Sequence, residues 1–100
     1  MDPSEFKVKE LLDATGQSTA LSDQEKHLIG LAVTVTRGCT VCTGGRIEKA
    51  LASGISYETI RATVDLVAAV NAGVALRTAL EGANGLDACS DGVCTTGTPS

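Results

Sequence analysis

The chain has 100 residues, which is enough for one domain, and with one Phe, one Tyr and no Trp its core must be built from Leu, Ile, Val and Ala. A formal net charge of −4, with basic residues scattered along the chain, argues against a nucleic-acid partner, because a phosphate backbone requires clustered positive charge. Several stretches are apolar on more than one helical face, which indicates that further copies of the chain cover this surface in a homo-oligomer.

No targeting or membrane segment is predicted. The N-terminus lacks a basic region followed by an apolar one, and no uninterrupted apolar run approaches the roughly 20 residues that span a bilayer. We therefore expect a cytoplasmic protein that does not contact a membrane. In such a reducing compartment, a closely spaced cysteine pair is more often catalytic or metal-binding than a structural bridge.

The first half of the chain predicts two helices. Apolar spacing favours a short helix over residues 3–14, which Gly16 would end. Ser22 and Glu25 have the spacing of a capping box, and the apolar residues that follow predict a buried or subunit-facing helix that ends at Gly38.

The next segments also read as helices. An amphipathic helix is predicted over residues 39–53, followed by a left-handed cap at Gly54. Ser56 is a suitable N-cap for a further helix, and Gly73 is expected to kink it or to separate it from a last helix. No convincing strand is found, so the predicted fold is an all-α, compact helical bundle.

The composition changes near Gly82, where Gly, Ser, Thr, Asn and Asp become frequent. Such a segment cannot bury enough apolar area to fold alone. We therefore predict a single helical domain over residues 1–82 and a flexible tail over residues 83–100. The tail holds Cys89 and Cys94, which could be inert, could bind a soft metal or metalloid, or could form a mobile dithiol that exchanges electrons with the domain.

The pair Cys39 and Cys42 lies where the third predicted helix begins. A helix N-terminus favours thiolate over thiol, which indicates a redox site. A zinc site is the main alternative, but zinc needs four ligands, and only His27, Cys89 and Cys94 remain to complete the set. Inert buried thiols are the third possibility.

The residues 23–80, with the core EKHLIGLAVTVTRGCTVCTGGRIEKALASGISYETI, resemble the carboxymuconolactone decarboxylase and alkylhydroperoxidase D-like family. The resemblance implies an all-α fold of the alkylhydroperoxidase D-like type that assembles as trimers or hexamers. It also implies a peroxidase that uses no cofactor or metal: Cys42 attacks a hydroperoxide, Cys39 closes the disulfide, and a thiol or protein reductant reopens it. The position of Cys39 at the start of the first turn predicts instead that it is the more exposed thiol, so the sequence leaves open which of the two cysteines attacks.

Two positions depart from the pattern of the peroxidase branch, which has a Glu twelve residues before the first cysteine and a His four residues after the second. This chain has His27 and Arg46 there. Arg46 can stabilise a thiolate but cannot accept a proton at working pH, whereas a histidine exchanges protons near neutral pH. For His27 to act, the two helices must fold back on each other or a neighbouring subunit must supply it, because an unbroken helix would place it on the order of 18 Å from Cys39.

Three other functions stay open. The same dithiol chemistry would suit a disulfide reductase or an electron adaptor for a peroxiredoxin. The four cysteines could instead form a metal- or metalloid-binding module without turnover. A carboxymuconolactone decarboxylase-like lyase is the last alternative, although no set of convergent acid, base and anion-binding residues is visible in the sequence.

Overall fold

The computed structural model describes residues 1–88, and in this part of the chain every regular element is helical. A short 3-10 turn is followed by the four helices α1 (Val8–Gly16), α2 (Asp23–Arg37), α3 (Thr40–Ala52) and α4 (Tyr57–Ala88). The all-α prediction is therefore confirmed. Cys89 and Cys94, for which a mobile dithiol was one prediction, lie outside the described residues.

The helix α2 begins and ends as its sequence predicts. The Ser22 hydroxyl accepts the backbone N–H of Glu25 at 3.1 Å, and the Glu25 carboxylate accepts the backbone N–H of Ser22 at 2.7 Å. These bonds hold the pKa of Glu25 below its ordinary value of 4.5, chiefly through the backbone N–H of Ser22 and then through its side chain. At the other end Gly38 adopts a φ of 75°, the left-handed conformation that glycine reaches without strain.

The first predicted helix is divided. Pro3–Glu5 forms a 3-10 turn, Phe6 is extended, and α1 starts only at Val8. Gly16 is the last residue of α1 rather than the residue that stops it. The ammonium of Lys26 donates to the carbonyl of Gly16 at 2.8 Å, which ties the end of α1 to the first turn of α2.

The helix α4 is unbroken where a kink or a separate helix was expected at Gly73. One glycine inside a helix costs about 1 kcal/mol relative to alanine, which is too little to interrupt an alanine-rich helix with its hydrogen bonds intact. A Cβ at Gly73 would also meet nothing within 4 Å, so no close contact explains this glycine. The helix runs past the predicted boundary at residue 82 and reaches Ala88.

The core lies where α2, α3 and the first half of α4 meet. The hydroxyls of Thr34 and Thr43 are in contact, as are Gly30 and Arg46, so α2 and α3 pack as an antiparallel hairpin. Among the described residues the buried side chains are few: Leu31, Ala50, Ile55 and Ile60, with Leu28, Val35, Ile47 and Val64 packed around them. A core of this size leaves most apolar side chains elsewhere uncovered.

Most of the apolar surface of α1 and α4 is exposed. Leu66 and Leu80 on α4 are 66% and 55% exposed, and Val8 on α1 is 73% exposed. By length and composition, the part of α4 from Tyr57 to Leu86, which contains an 18-residue window with a mean hydropathy of 1.4, could cross a membrane. The segment is not an uninterrupted apolar run, because Asp65 and Arg77 lie within it, and the expectation of a protein that does not contact a membrane stays a prediction.

Candidate functional site

The dithiol caps the N-terminus of α3. Cys39 is the N-cap residue, with extended backbone angles, and its sulfur accepts the backbone N–H of Cys42 at 3.2 Å. The two sulfurs form a disulfide, and their Cα atoms are 5.3 Å apart, within the range of 4.4 to 6.8 Å seen for such bonds. The predicted placement of the pair in the first turn is therefore confirmed.

The two cysteines differ in accessibility. Cys42 is exposed, whereas Cys39 is half-buried. The prediction that Cys39 is the more exposed thiol is wrong, because its backbone N–H donates to the carbonyl of Thr34 at 3.1 Å and holds this residue against the end of α2. An incoming molecule therefore reaches Cys42 more easily than Cys39.

The local field favours a thiolate at this end of α3. The first turn of α3 contains no acidic residue, so the N–H groups there face no competing negative charge within their own turn. Unpaired N–H groups at a helix N-terminus carry about half a positive charge, which stabilises an anion placed beside them. A reduced dithiol at this position is therefore expected to ionise more readily than an ordinary thiol.

A shallow depression of about 270 Å³ lies beside the dithiol. Its lining consists of Val35, Gly38, Cys39, Thr40 and Thr43. The hydroxyl of Thr43 donates to that of Thr34 at 3.1 Å, and the hydroxyl of Thr34 donates to the carbonyl of Leu31 at 3.1 Å. These bonds fix one wall of the depression, which is mostly apolar.

Arg46 lies one turn beyond Cys42 on α3, and its guanidinium rests on Gly30 of α2. A Cβ built on Gly30 would be 2.6 Å from both Cζ and Nη1 of Arg46, so the arginine occupies the space where a side chain would otherwise stand. Arg46 is half-buried, and within residues 1–88 it forms no ion pair. The structure therefore places this cation at the α2–α3 interface rather than free in solvent.

His27 lies farther from the dithiol than Arg46 does. It is half-buried, one helical turn before Gly30, so in the antiparallel pairing it stands level with the end of α3 near Ala50. That position is about 12 Å along α3 from Cys42. The two helices do fold back on each other, which is one of the two conditions under which His27 could act, but no side-chain hydrogen bond within residues 1–88 joins His27 or Arg46 to a sulfur.

A family model for the carboxymuconolactone decarboxylase family matches residues 7–85. The chain belongs to this family. The family includes alkylhydroperoxidase-like members, and the Cys39–Cys42 disulfide is consistent with that branch. The resemblance read from the sequence is thereby confirmed.

A solved structure has the same fold. It is the crystal structure of a protein of Methanobacterium thermoautotrophicum, which shares 28% sequence identity and superposes with a TM-score of 0.73 over 81% of this chain and 93% of that chain. No curated protein sequence matches the chain.

Two residues of this carboxymuconolactone decarboxylase family member were not predicted as parts of the site. Gly30 supports Arg46, and Thr43 forms one wall of the depression beside Cys39. Gly30 had a signal in the sequence, since a glycine within an otherwise strong helix is often there for a packing or functional reason. The sequence did not identify which side chain would lie on it.

The metal-binding hypothesis depends on residues beyond this site. Within residues 1–88, no group of three or more His, Cys, Asp or Glu side chains could hold a metal ion. The remaining predicted ligands, Cys89 and Cys94, lie outside the described residues. The described part of the site therefore offers two sulfur ligands at most, fewer than the four of a structural zinc site.

Proposed function

We propose that this family member is a thiol-dependent peroxidase that reduces hydroperoxides with the dithiol of Cys39 and Cys42. The observation that carries the proposal is the disulfide at the N-terminus of α3, with Cys42 exposed and Cys39 directly behind it as the capping residue. A peroxidase of this kind needs one accessible thiolate and a second thiol close enough to close a disulfide. The family pattern makes Cys42 the attacking residue and Cys39 the resolving one, which agrees with the greater exposure of Cys42.

The reaction begins with attack of the Cys42 thiolate on one oxygen of the hydroperoxide. The S–O bond forms as the O–O bond breaks, the alkoxide leaves and takes a proton from solvent, and Cys42 becomes a sulfenic acid. The Cys39 thiolate then attacks the sulfur of Cys42, and hydroxide leaves as water after it gains a proton. Two electrons and two protons from a thiol or protein reductant restore the dithiol.

The proposal predicts that the reduced, metal-free protein forms the Cys39–Cys42 bond rapidly on exposure to one equivalent of cumene hydroperoxide. Intact-mass analysis should show the loss of two hydrogens, and peptide mapping should place the new bond. The double variant Cys39→Ser, Cys42→Ser is the control, and the mass of its peptide that contains residues 39–42 should not change on exposure to the hydroperoxide.

Other outcomes would replace the proposal. Thiols that resist the hydroperoxide, but are oxidised by a protein or small disulfide, would identify an electron adaptor. Thiols that resist both oxidants, in a protein purified with stoichiometric metal, would identify a metal-binding module. A further bond from Cys39 or Cys42 to Cys89 or Cys94 would add the predicted tail shuttle to the peroxidase.

We also propose that the protein works in the cytoplasm as a homotrimer or homohexamer. The support for assembly is the exposed apolar surface of α1 and α4, which includes Val70 and Leu80 at 58% and 55% exposure.

Light scattering after size-exclusion chromatography should give a mass of three or six chains. The Val70→Glu variant should have a lower mass, because a buried carboxylate opposes association. A single-chain mass for the unmodified protein at micromolar concentration would contradict the proposal.

A further inference from the structure

We propose that Gly30 is a positioning residue: by lacking a side chain, it provides the place in which the guanidinium of Arg46 lies, and the cation held there raises the reactivity of the Cys42 thiolate. The inference deepens the proposed function and rests on it in one respect, namely that Cys42 is the reacting thiol. It assigns a role to Gly30, a residue of α2 that is not part of the Cys39–Cys42 motif.

The contact between Gly30 and Arg46 is specific in its geometry. A Cβ at residue 30 would lie 2.6 Å from Cζ, 2.6 Å from Nη1 and 2.9 Å from Nε of Arg46. Carbon and nitrogen atoms that are not bonded attract best at about 3.5 to 4.0 Å, so even a methyl group must displace the guanidinium. Because the displaced atoms are the end of a flexible side chain, the helices themselves need not move.

Gly30 differs in this respect from four other glycines inside the described helices. A Cβ built on Gly44, Gly45, Gly73 or Gly82 would meet nothing within 4 Å. Glycine lowers helix stability relative to alanine at every such position. Among these five glycines, only Gly30 has another side chain in the space that its own would fill.

Arg46 is suitably placed to act on Cys42. Residues four apart lie on one face of a helix, and side chains lean toward the helix N-terminus, which is the end that holds the dithiol. The guanidinium lies against Gly30 and the residue is half-buried, and a charge that is partly removed from water acts more strongly on a neighbour than a fully solvated one. Its loss should therefore make the thiolate less favourable.

Other charged or titratable groups also belong to the helices that pack on α3. On α2 they are Asp23, Glu25, Lys26, His27 and Arg37, and in the first half of α4, which packs on the core, they are Tyr57, Glu58, Arg61 and Asp65. The four groups on α4 line a groove with Ile47, on the part of α3 that follows Arg46. The three atoms nearest to a Cβ at residue 30 all belong to Arg46, so the effect of a methyl group there is assigned to Arg46.

The test is alkylation of Cys42 by iodoacetamide between pH 6 and pH 9, in a background that carries Cys39→Ser, Cys89→Ser and Cys94→Ser. Gly30→Ala should slow alkylation at pH 7 roughly threefold and move the midpoint of the pH profile upward. Arg46→Met should have the same effect. The double variant Gly30→Ala, Arg46→Met should be no slower than Arg46→Met alone, since the two changes remove one interaction.

Gly45→Ala is the matched control, because it adds the same methyl group to a helix where nothing lies within 4 Å, and it should leave the profile unchanged. The melting temperature of Gly30→Ala should be equal or higher, since alanine favours the helix. An unchanged profile for Gly30→Ala, or an equal slowing when Met already replaces Arg46, would overturn the inference. No peroxide is present, so a failure of the peroxidase proposal would be seen separately, in the oxidation experiment.

Discussion

Replacement of Cys42 by serine is expected to abolish hydroperoxide turnover, with a fall in kcat/KM of at least about 10³-fold. The serine hydroxyl does not ionise at working pH, so the nucleophile of the first step is lost, while the N-terminal turn of α3 keeps its shape because Cys42 is exposed. The measurement is hydroperoxide consumption with dithiothreitol as the reductant. Circular dichroism should show an unchanged helix content.

Cys39→Ser is the matched variant, since serine is itself a good N-cap residue and α3 should start as before. This variant should still consume one equivalent of hydroperoxide and stop at a sulfenic acid on Cys42, which dimedone would trap. The reverse pattern, with activity lost in Cys39→Ser and a trapped sulfenic acid in Cys42→Ser, would show that Cys39 is the attacking residue. Full activity in both variants would place the chemistry elsewhere in the chain.

Leu31→Ala should lower the free energy of unfolding by about 3 kcal/mol, because Leu31 is 0% exposed and lies in the middle of the α2–α3–α4 core. The described core has only four buried side chains, so a cavity at its centre removes a large share of the packing. Thermal unfolding followed by circular dichroism would measure the loss. The protein concentration must be held constant, since assembly also contributes to stability.

Leu86→Ala removes the same atoms from a side chain that is 67% exposed, and it should change stability by no more than about 0.5 kcal/mol. Equal losses for the two variants would mean that the core is not where α2, α3 and α4 meet. A large loss for Leu86→Ala alone would instead show that an assembled partner covers the end of α4.

The resemblance to the peroxidase branch implies a Glu and a His at the positions where this chain has His27 and Arg46. The structure separates these two residues: Arg46 lies at the level of Gly30, and His27 lies a turn farther from the dithiol. We therefore expect a cation near the thiols to take the place of a proton relay, so that thiolate formation depends on charge stabilisation and on protons exchanged with solvent. The alkylation profile of the Arg46→Met variant addresses this point directly.

Local interactions were predictable from the sequence alone. The Ser22 and Glu25 capping box, the left-handed Gly38 and Gly54, and the dithiol in the first turn of α3 are all found as predicted. Each depends on hydrogen bonds or backbone angles among residues a few positions apart, so the residue types at fixed spacing are sufficient to specify them. The family resemblance rests on the same local motifs.

The contacts between helices and the continuity of α4 were decided only by the tertiary structure. The sequence could not show that Cys39 is shielded by the end of α2, that Arg46 rests on Gly30, or that the helix continues through Gly73. These features depend on how α2 and α3 pair and on whether neighbouring turns offset the cost of one glycine. The pairing of α2 and α3 is a sum of many weak contacts between residues far apart in the chain, and the balance at Gly73 is a sum over the hydrogen bonds of neighbouring turns, so no short motif encodes either of them.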